Sequence, residues 1–334
     1  MKTTAFDEQT VTIKSAGNVL QGTWTQPCSN NKTDQHLQAV IAVLLLIPDS
    51  GPMDRNQNSV QVQLNIFNDM ANYLAERGIA SVRYDKRGCG ISKGKFDSAG
   101  HSDLVADTQA WLDYMQSDSL IAGAPIYVLG HGEGSLIAAQ LCAANDSVKG
   151  QILLTPFVEN FEHIIRRQAE NALRDIAELE GFKGKLIRFF IKLSGDQIAK
   201  QKKLIQRIRK TRRKTLKIRK QVINAKWIRE MVNIDAAAIH GNVTAPTLII
   251  GGEKDLQCRP EDVEIIASIV KGPVESHVLE DLTHILRPDP EKASLQRYLK
   301  LTIEEVDRRV LDMVTRWLNE QTAADSQDTG SRHI

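Results

Sequence analysis

A stretch of seventeen residues, Pro125–Leu141, constrains the fold of this chain more than any other part of its sequence. It reads PIYVLGHGEGSLIAAQL, an apolar run that meets a glycine-rich turn and continues into an alanine-rich segment. This succession predicts a strand, a sharp turn and a helix, with Gly130 and Gly134 allowing the strand and the helix to approach closely. Such a turn raises its central side chain above a parallel sheet, beside the N-terminus of the helix.

The central position of this turn is Gly132, between His131 and Glu133. The pattern G-x-S-x-G would place a nucleophilic serine hydroxyl there, and glycine has none. The sequence therefore keeps the scaffold of a nucleophile-bearing turn and lacks its reactive group. We expect His131 to pack within the turn rather than to react.

Strand and helix patterns alternate on both sides of this turn. Strands are predicted as a hairpin over 11–24 and at 40–47, 79–84, 126–129, 151–154, 247–250 and 274–279, and helices at 66–76, 104–115, 135–144, 260–270 and 303–318. Alternation of this kind favours a parallel sheet with helices on both faces. We predict an α/β fold with a mostly parallel sheet of about eight strands.

The alternation stops after Thr155. Residues 156–235 show no strand pattern, and within them the span 183–229 holds 18 Lys or Arg and one acid. We predict a basic helical cap over 156–235, inserted into a core of 1–155 and 236–320, with a polar, frayed tail over 321–334. Apolar residues spaced between the cations of 200–220 predict amphipathic helices above the mouth of the site.

Two interpretations of the basic cap stay open. Its cations form either a solvated outer face or a surface for something anionic, such as an acidic substrate, a membrane or a nucleic acid. Nucleic acid is the least favoured partner because no aromatic residues for base stacking accompany the cations.

Composition narrows the class of protein. The longest apolar run, Ala39–Ile47, is too short to span a bilayer, and the N-terminal MKTTAFDEQT lacks the apolar segment of a secretory signal. The four cysteines show no C-x-x-C spacing, which predicts free thiols in a reducing cytoplasm and gives no indication of a metal or another cofactor.

Two side chains follow late strands in an order that suggests acid and base. Asp255 comes after the strand TLIIGG, and His284 comes after the strand that ends at Leu279. Alone, Asp255 could be a turn residue and His284 a surface histidine. Together, and downstream of the turn at Gly132, they match a carboxylate that orients an imidazole base.

Four motifs resemble the α/β-hydrolase superfamily, in its bacterial esterase and serine-aminopeptidase-like form. Besides the turn, PDSGPMDRNQN resembles the P-G-S-G-P-x-D-R-D-G-N oxyanion loop, YDKRGCGIS resembles Y-D-K-R-G-x-G-x-S, and GEKDLQCRPED resembles G-D-K-D-x-x-V-P-x-x-D. The resemblance covers about 11–155 and 240–320. It implies an α/β-hydrolase fold and cleavage of carboxylic ester, thioester or amide bonds through an acyl-enzyme.

Carried over, the resemblance makes Asp255 the acid, His284 the base, and the backbone amides of Ser50 and Glu133 the oxyanion hole. Two positions depart from it: Gly132 replaces the serine, and Asp49 replaces a loop glycine. A carboxylate at position 49 is expected to repel an oxyanion or to distort the loop. The family's structural ion-pairing positions are occupied by Asp54, Arg55, Asp85 and Arg87.

Two functions from different classes follow. The first is a serine-hydrolase-like enzyme, acting on a small acyl substrate and impaired at Gly132. The second is a pseudoenzyme that binds an acyl or anionic ligand without catalysis. Ser135 and Cys89 are weak substitutes for the nucleophile, as is a water activated by His284. We expect Gly132→Ser to create or raise activity, and more so when it is combined with Asp49→Gly.

Overall fold

The computed structural model describes residues 6–28, 40–117 and 123–331. Its main sheet has eight strands in the order β1-β2-β4-β3-β5-β6-β9-β10. The strands are β1 (Phe6–Ser15), β2 (Asn18–Pro27), β3 (Ala42–Ile47), β4 (Ile79–Tyr84), β5 (Ile126–His131), β6 (Val148–Leu154), β9 (Thr247–Gly252) and β10 (Val274–Leu279). β2 pairs antiparallel with β1 and β4, and every other pairing is parallel. The predicted mostly parallel sheet of about eight strands is confirmed.

The central strand β3 is buried on both faces. Val43, Leu45 and Ile47 belong to one hydrophobic cluster, whereas Leu44 and Leu46 belong to the cluster on the opposite face. Successive side chains of a strand point to opposite faces, so an uninterrupted apolar run is what a doubly covered strand requires.

Helices cover both faces of this sheet. They are α1 (Ile66–Ala75), α2 (His101–Ser117), α3 (Glu133–Ala144), α8 (Ala236–His240), α9 (Glu261–Ile269), α10 (Leu295–Leu301) and α11 (Arg308–Ser331). Side chains of α2, α3 and α9 belong to one cluster, and those of α1, α10 and α11 belong to the other. The carboxyl ends of the parallel strands meet at one edge of the sheet, where such folds place their ligands.

Between β6 and β9 lie α4 (Phe161–Ala177), α5 (Gly181–Ser194), α6 (Gln197–Lys210), β7 (Thr215–Ile218), β8 (Gln221–Asn224) and α7 (Ala225–Met231). The expectation that this stretch contains no strand is wrong, because β7 and β8 form an antiparallel hairpin. Its turn contains Arg219 at φ 54° and no Gly, Asn or Pro, so the usual turn signal is missing. Leu216 packs on Ile208 and Ala225, which anchors the hairpin to α6 and α7.

The C-terminal helix is longer than predicted. Instead of ending at 318, it continues to Ser331, so the polar segment that we expected to be frayed is helical as far as that residue. Val310, Val314 and Trp317 bury its first part against the sheet, and the helix extends beyond this anchored region. The polar sequence over 27–38 predicts a loop, most of which lies outside the described residues. Within the described part of the chain, no helix is long and apolar enough to cross a membrane.

Candidate active site

The turn between β5 and α3 has the sharp geometry that its glycines predict. Gly132 lies at the apex with φ 53° and ψ −116°, a conformation that glycine adopts far more easily than other residues. A Cβ at Gly130 would overlap the backbone of Gly134, and a Cβ at Gly134 would overlap the carbonyl group of Ile47. Both flanking glycines are therefore required by the close approach of the strands and α3.

A carboxylate occupies the space above this turn. Asp49 follows β3, and its Oδ1 accepts hydrogen bonds from the backbone amides of Ser50 at 2.6 Å and Glu133 at 2.9 Å. These are the two amides predicted as the oxyanion hole, whose donors would otherwise face the developing negative charge of an acyl intermediate. The side chain of Asp49 fills this hole itself, rather than only repelling an anion from nearby.

His284 joins the two sides of the site. Its Nδ1 lies 2.8 Å from Oδ2 of Asp255, so the predicted hydrogen bond between these residues is confirmed. Its Nε2 lies 3.0 Å from Oδ2 of Asp49. A carboxylate accepts hydrogen bonds and donates none, so an imidazole with one on each ring nitrogen satisfies both only as the doubly protonated imidazolium.

The electrostatics favour the same charged state. Burial alone lowers the pKa of His284, but the charge of Asp255 and the hydrogen bonds to both carboxylates outweigh burial and raise this pKa well above 6.5. Burial raises the pKa of Asp49, whereas the hydrogen bond and the charge of His284 hold it below its usual range. In this resting state His284 already carries the proton that a general base would have to accept.

The glycine at 132 and the carboxylate at 49 depend on each other. A Cβ at Gly132 would overlap Oδ1 of Asp49, so any larger residue has to displace the carboxylate from its two amide donors and from His284. The expectation that Gly132→Ser by itself creates activity is therefore corrected. The carboxylate must leave before a serine hydroxyl and an oxyanion can share this space.

Asp255 and His284 are held by a residue that the sequence did not indicate. The hydroxyl group of Tyr298, on α10, accepts from the amide of Leu256 at 3.0 Å and donates to the carbonyl of Lys254 at 3.2 Å. The amide of His284 lies 3.4 Å from the same oxygen. Tyr298 thus ties the acid loop to the base loop, and no motif near it distinguishes it from an ordinary helical tyrosine.

His131 packs against the base, as expected, and does not face the cavity. Its Nε2 lies 2.8 Å from the backbone carbonyl of His284, and the two rings are 5.0 Å apart. Its Nδ1 lies 2.8 Å from the side-chain amide of Gln57, whose nitrogen is buried without another partner and donates to a neutral ring when the amide is turned over. Burial lowers the pKa of His131 to about 4, so this neutral imidazole braces the loop that carries the base.

The side chain of Glu133 belongs to a buried polar cluster behind the oxyanion position. Its Oε1 accepts from Nε1 of Trp227 at 2.7 Å and lies 2.9 Å from Nδ1 of His101, while Lys86 lies 3.7 Å from Oε2. Burial raises the pKa of Glu133, but the charge of Lys86 and these hydrogen bonds lower it overall. Lys86 also donates to the backbone carbonyl of Asp49, so one cation fixes both sides of the hole.

The four ion-pairing positions brace loops. Arg55 makes a two-point contact with Asp85 at 3.0 and 2.7 Å, and Arg87 pairs with Asp107 at 2.6 Å. Asp54 accepts the amides of Asn56 and Asn58, which closes its own loop. None of these groups lines the cavity above Gly132.

The substitute nucleophiles proposed from the sequence lie away from the base. The hydroxyl group of Ser135 donates to the carbonyl of Gly132 at 2.6 Å, within α3. Cys89 is buried near the carbonyl of Arg87, and burial raises its pKa to about 11. A thiol that the sequence did not single out, Cys258, lies at the site, but burial raises its pKa to about 12, which disfavours the thiolate.

One group of side chains has metal-ligating donors in proximity. Ligand atoms of Asp255, Cys258 and His284 lie within 4.8 Å of one another, a set that zinc accepts. Both nitrogens of His284 are already engaged by carboxylates, and Oδ1 of Asp255 accepts the amides of Gln257 and Cys258 at 2.7 and 2.9 Å. These hydrogen bonds fit an oriented imidazolium better than a metal centre.

The cavity above Asp49 and His284 is small and covered by residues of the predicted cap. Its roof contains Phe161 and Ile164 from α4, and Trp227 and Met231 from α7. Its volume is about 30 Å³, which is enough to hold water. Residues of α4 and α7 therefore border the approach to the carboxylate.

A sequence match over most of the chain decides the family. A family model for serine aminopeptidases (S33) matches residues 62–291, which include the turn at Gly132, Asp255 and His284. The chain belongs to the serine aminopeptidase (S33) family. The matched span covers more than half of the chain but begins after Asp49.

Relatives of this family member include esterases. The chain is 24% identical over 322 residues to the esterase EstD of Thermotoga maritima, covering 94% of this chain and 68% of that protein. Among solved structures, the α/β hydrolase GrgF from Penicillium sp. sh18 matches with a TM-score of 0.61 and 17% identity, covering 95% of this chain and 99% of GrgF. Est1E from Butyrivibrio proteoclasticus, bound to ferulic acid, matches with a TM-score of 0.59 and 18% identity, over 93% of this chain and 96% of Est1E. These structures share the α/β-hydrolase fold.

Proposed function

We propose that this family member is a small-molecule hydrolase whose nucleophile is the carboxylate of Asp49, and that acyl-serine chemistry is impaired because residue 132 is glycine. The observation that carries the proposal is the position of Asp49, between the oxyanion-hole amides and Nε2 of His284. A hydrogen bond of 3.0 Å joins it to the imidazole, within the range expected between a nucleophile and its acid–base partner.

The two oxygens of Asp49 have different surroundings. Oδ1 is held by two backbone amides, whereas the one hydrogen bond seen at Oδ2 is with His284. Oδ2 is therefore the attacking atom, and Oδ1 becomes the carbonyl oxygen of the resulting ester. Its two amide donors are already in place for the negative charge that forms on Oδ1 when water attacks that ester.

The charge of His284 favours substrates with a strained ring oxygen, such as epoxides. Oδ2 of Asp49 attacks a ring carbon, the carbon–oxygen bond breaks, and the ring oxygen takes the proton from the imidazolium. The product is a hydroxyalkyl ester of Asp49 and a neutral His284, which now faces only one carboxylate and can act as a base.

Neutral His284 then accepts a proton from water, which attacks Cγ of Asp49. The tetrahedral intermediate places its negative charge on Oδ1. Its collapse releases the alkoxide, which takes the proton from His284 and leaves as the diol, and the carboxylic acid formed on Asp49 then gives its proton to His284. The sum is epoxide plus water giving diol, with Asp49 and His284 returned to their resting charges. We expect this chemistry to take place in the cytoplasm, in keeping with four free cysteines.

The test combines a substrate panel with isotope labelling. Styrene oxide, 1,2-epoxyhexane, 1-bromohexane and p-nitrophenyl butyrate are offered to the purified protein, with a fluorophosphonate probe for serine nucleophiles. We expect turnover of an epoxide and neither ester cleavage nor fluorophosphonate labelling. In a single turnover in H₂¹⁸O, the heavy oxygen should enter the peptide that contains Asp49, and the diol should carry none.

Variants of single residues test which side chain acts in each step. His284→Asn removes both the acid for ring opening and the base for hydrolysis, so it should abolish epoxide turnover, and an alkyl adduct that forms on Asp49 should persist as a mass increase. Asp49→Asn should abolish the adduct, and Asp54→Asn, in the same loop, should leave turnover intact. Heavy oxygen in the diol of the first turnover, with Asp49 unlabelled, would falsify the carboxylate route.

The second candidate is a binding protein without catalysis. The observation that favours it is that three donors satisfy Asp49 while the cavity holds about 30 Å³. On this alternative no member of the panel is turned over or forms an adduct, yet a neutral acyl compound raises the melting temperature. An anionic ligand is disfavoured at this point because a carboxylate already occupies the anion-binding amides.

A further inference from the structure

Helix α5 carries an unusual concentration of exposed apolar side chains. Six of the fourteen large hydrophobic residues that are exposed in the described structure belong to this single helix: Phe182, Leu186, Ile187, Phe189, Phe190 and Leu193. Phe182 is 80% exposed and Leu193 is 73% exposed. Contiguous apolar surface of this kind marks a contact site rather than the scattered exposure that is normal for single residues.

The exposed residues form an ordered stripe. Phe182, Leu186, Phe189 and Leu193 are spaced by four, three and four residues, which places them on one face of a helix. The adjoining face, with Phe190 and Ile191, lines a groove together with Ala172 and Leu173 of α4. This groove accounts for one apolar face of α5, and no residue of the stripe lines it.

The helix that carries the stripe and the next helix, α6, are rich in cations. Within their bounds α5 and α6 contain ten Lys or Arg and no acidic residue. Lys185 and Lys192 are exposed on α5, and Lys202 and Lys203 are exposed on α6. An apolar helix face with basic flanks has the composition of a helix that lies in the interface of an anionic bilayer.

We propose that α5 docks this protein on anionic phospholipid, with its apolar stripe in the headgroup–acyl boundary and the cations of α5 and α6 on the lipid phosphates. The helix has 14 residues and is about 21 Å long, shorter than the hydrocarbon thickness of about 30 Å. It therefore lies along the surface and does not cross the bilayer.

The charges argue against a second copy of the chain as the occupant. A symmetric dimer through this stripe would bring α5 of one copy against the same patch of the other. Each patch is cationic, so the two copies would repel each other, whereas an anionic membrane attracts each Lys or Arg near its surface.

Vesicle co-sedimentation tests the docking surface. The full chain is mixed with vesicles of phosphatidylcholine alone, or with 30% phosphatidylserine, at 50 and 500 mM NaCl. We expect binding to the phosphatidylserine vesicles at low salt, at least tenfold weaker binding to phosphatidylcholine, and a clear loss at high salt because surface charges are screened.

Matched variants separate the stripe from general effects. Phe189→Ser with Leu193→Ser should weaken binding at least tenfold, while Val60→Ser with Ile303→Ser, two comparably exposed apolar positions outside α5, should leave it unchanged. Lys192→Glu with Lys203→Glu should weaken binding, and Lys149→Glu, an exposed lysine on β6, should have little effect. Thermal unfolding of each variant reports whether it is folded.

Three results would overturn the proposal. They are equal binding to neutral and anionic vesicles, no binding at low salt, and folded Phe189→Ser/Leu193→Ser protein that binds as tightly as the unaltered chain. Sedimentation velocity gives the competing outcome: a dimer that dissociates in the same double variant, without lipid binding, would assign the stripe to a second copy. Fluorophosphonate and epoxide assays are independent of all these readouts.

Discussion

The two sides of the candidate site differ in how far they keep the arrangement of a serine hydrolase. On the histidine side, Asp255 orients His284 through a hydrogen bond of 2.8 Å, as in an acid–base pair that serves a hydroxyl nucleophile. On the turn side, the hydroxyl is missing and the carboxylate of Asp49 occupies both the predicted oxyanion hole and the place next to Nε2 of His284.

This difference shows that the two departures of the sequence form one structural unit. Gly132 leaves the space that Asp49 fills, and Asp49 supplies the partner that His284 would otherwise lack. A turn side that had merely decayed would leave the amides of Ser50 and Glu133 unpaired. Here the buried donors are satisfied, which makes the replacement stable rather than vestigial.

The largest expected effect comes from rebuilding the turn side as a serine site, which would remove the difference between the two sides. Gly132→Ser alone should destabilise the protein by about 4 kcal/mol, because the side chain adds backbone strain and expels the buried carboxylate. It should show no ester cleavage. Gly132→Ser with Asp49→Gly frees the space and the amides, so it should recover part of the stability and cleave p-nitrophenyl butyrate.

Urea unfolding and fluorophosphonate labelling measure the two effects separately. Asp49→Gly alone is the control, since it opens the hole without adding a nucleophile. If the folded double variant neither reacts with the probe nor cleaves any ester, the histidine side is no longer adapted to acyl transfer, and the two sides have diverged together.

A single substitution tests whether both carboxylates keep His284 protonated. Asp49→Asn removes one of them and should lower the pKa of His284, as followed by NMR titration of its imidazole. Breaking a buried charge pair by removing one partner costs about 3 to 5 kcal/mol, so the variant should also be less stable near neutral pH. Asp54→Asn provides a control in the same loop.

The loss of stability in Asp49→Asn should depend on pH in a defined direction. His284 has a raised pKa, so its contribution is complete below about 6.5 and is lost as the pH rises through its folded value. Asp49 has a lowered pKa, so its contribution is present above about 4 and is lost as the pH falls further. The stability gap between the unaltered protein and Asp49→Asn should therefore be widest between these limits. A gap that is constant with pH would mean that His284 is neutral.

The core of the fold could be predicted because each of its strands and helices has a recognisable pattern in the local sequence. The run over β3 is apolar throughout, and β4 and β10 have the predicted limits. The hairpin of β7 and β8 could not be predicted in the same way. Its strands have four residues each and its turn uses Arg219 at positive φ, so tertiary packing on α6 and α7, not a local signal, fixes it.

The site shows the same division between local and tertiary information. Asp255 and His284 follow strands, so sheet topology brings them to one edge, and sequence order was enough to pair them. The position of Asp49 in the predicted oxyanion hole could not be predicted, because the sequence identifies Asp49 only as a departure from the family's loop motif. Tyr298 lies on a helix 14 residues beyond His284, and only the tertiary fold brings its hydroxyl group to the acid and base loops.

His131 connects the two sides, because it packs on His284 and lies next to Gly132 in the turn. Its pKa is lowered to about 4 by burial, so the unfolded chain binds a proton more readily, and stability is lost as the pH falls from about 6.5 to 4. The loss is about 3 kcal/mol. His240, buried elsewhere with a pKa also lowered to about 4, contributes a similar loss.

Urea unfolding across pH 4 to 7 measures both histidines. His131→Asn should remove roughly half of the acid-dependent loss, and His240→Asn should remove a comparable share. Only His131→Asn should alter the NMR titration of His284, because only His131 contacts it. Equal effects of both variants on His284 would indicate a general loosening instead of a specific brace.

The smallest expected effect comes from Tyr298→Phe, which tests whether the histidine side depends on its link between two loops. The change removes the oxygen that accepts from Leu256 and donates to Lys254, and leaving a buried amide without its partner costs about 1 to 2 kcal/mol. Tyr73→Phe is the matched control, since its hydroxyl group bonds Asp312 at a partly exposed position and should cost less. If Tyr298 acts as a positioning residue, its loss also changes the NMR titration of His284, which no loss of packing elsewhere would do. A variant that loses stability while the titration of His284 stays unchanged would show that Asp255 and Asp49 alone hold the imidazole between the two sides.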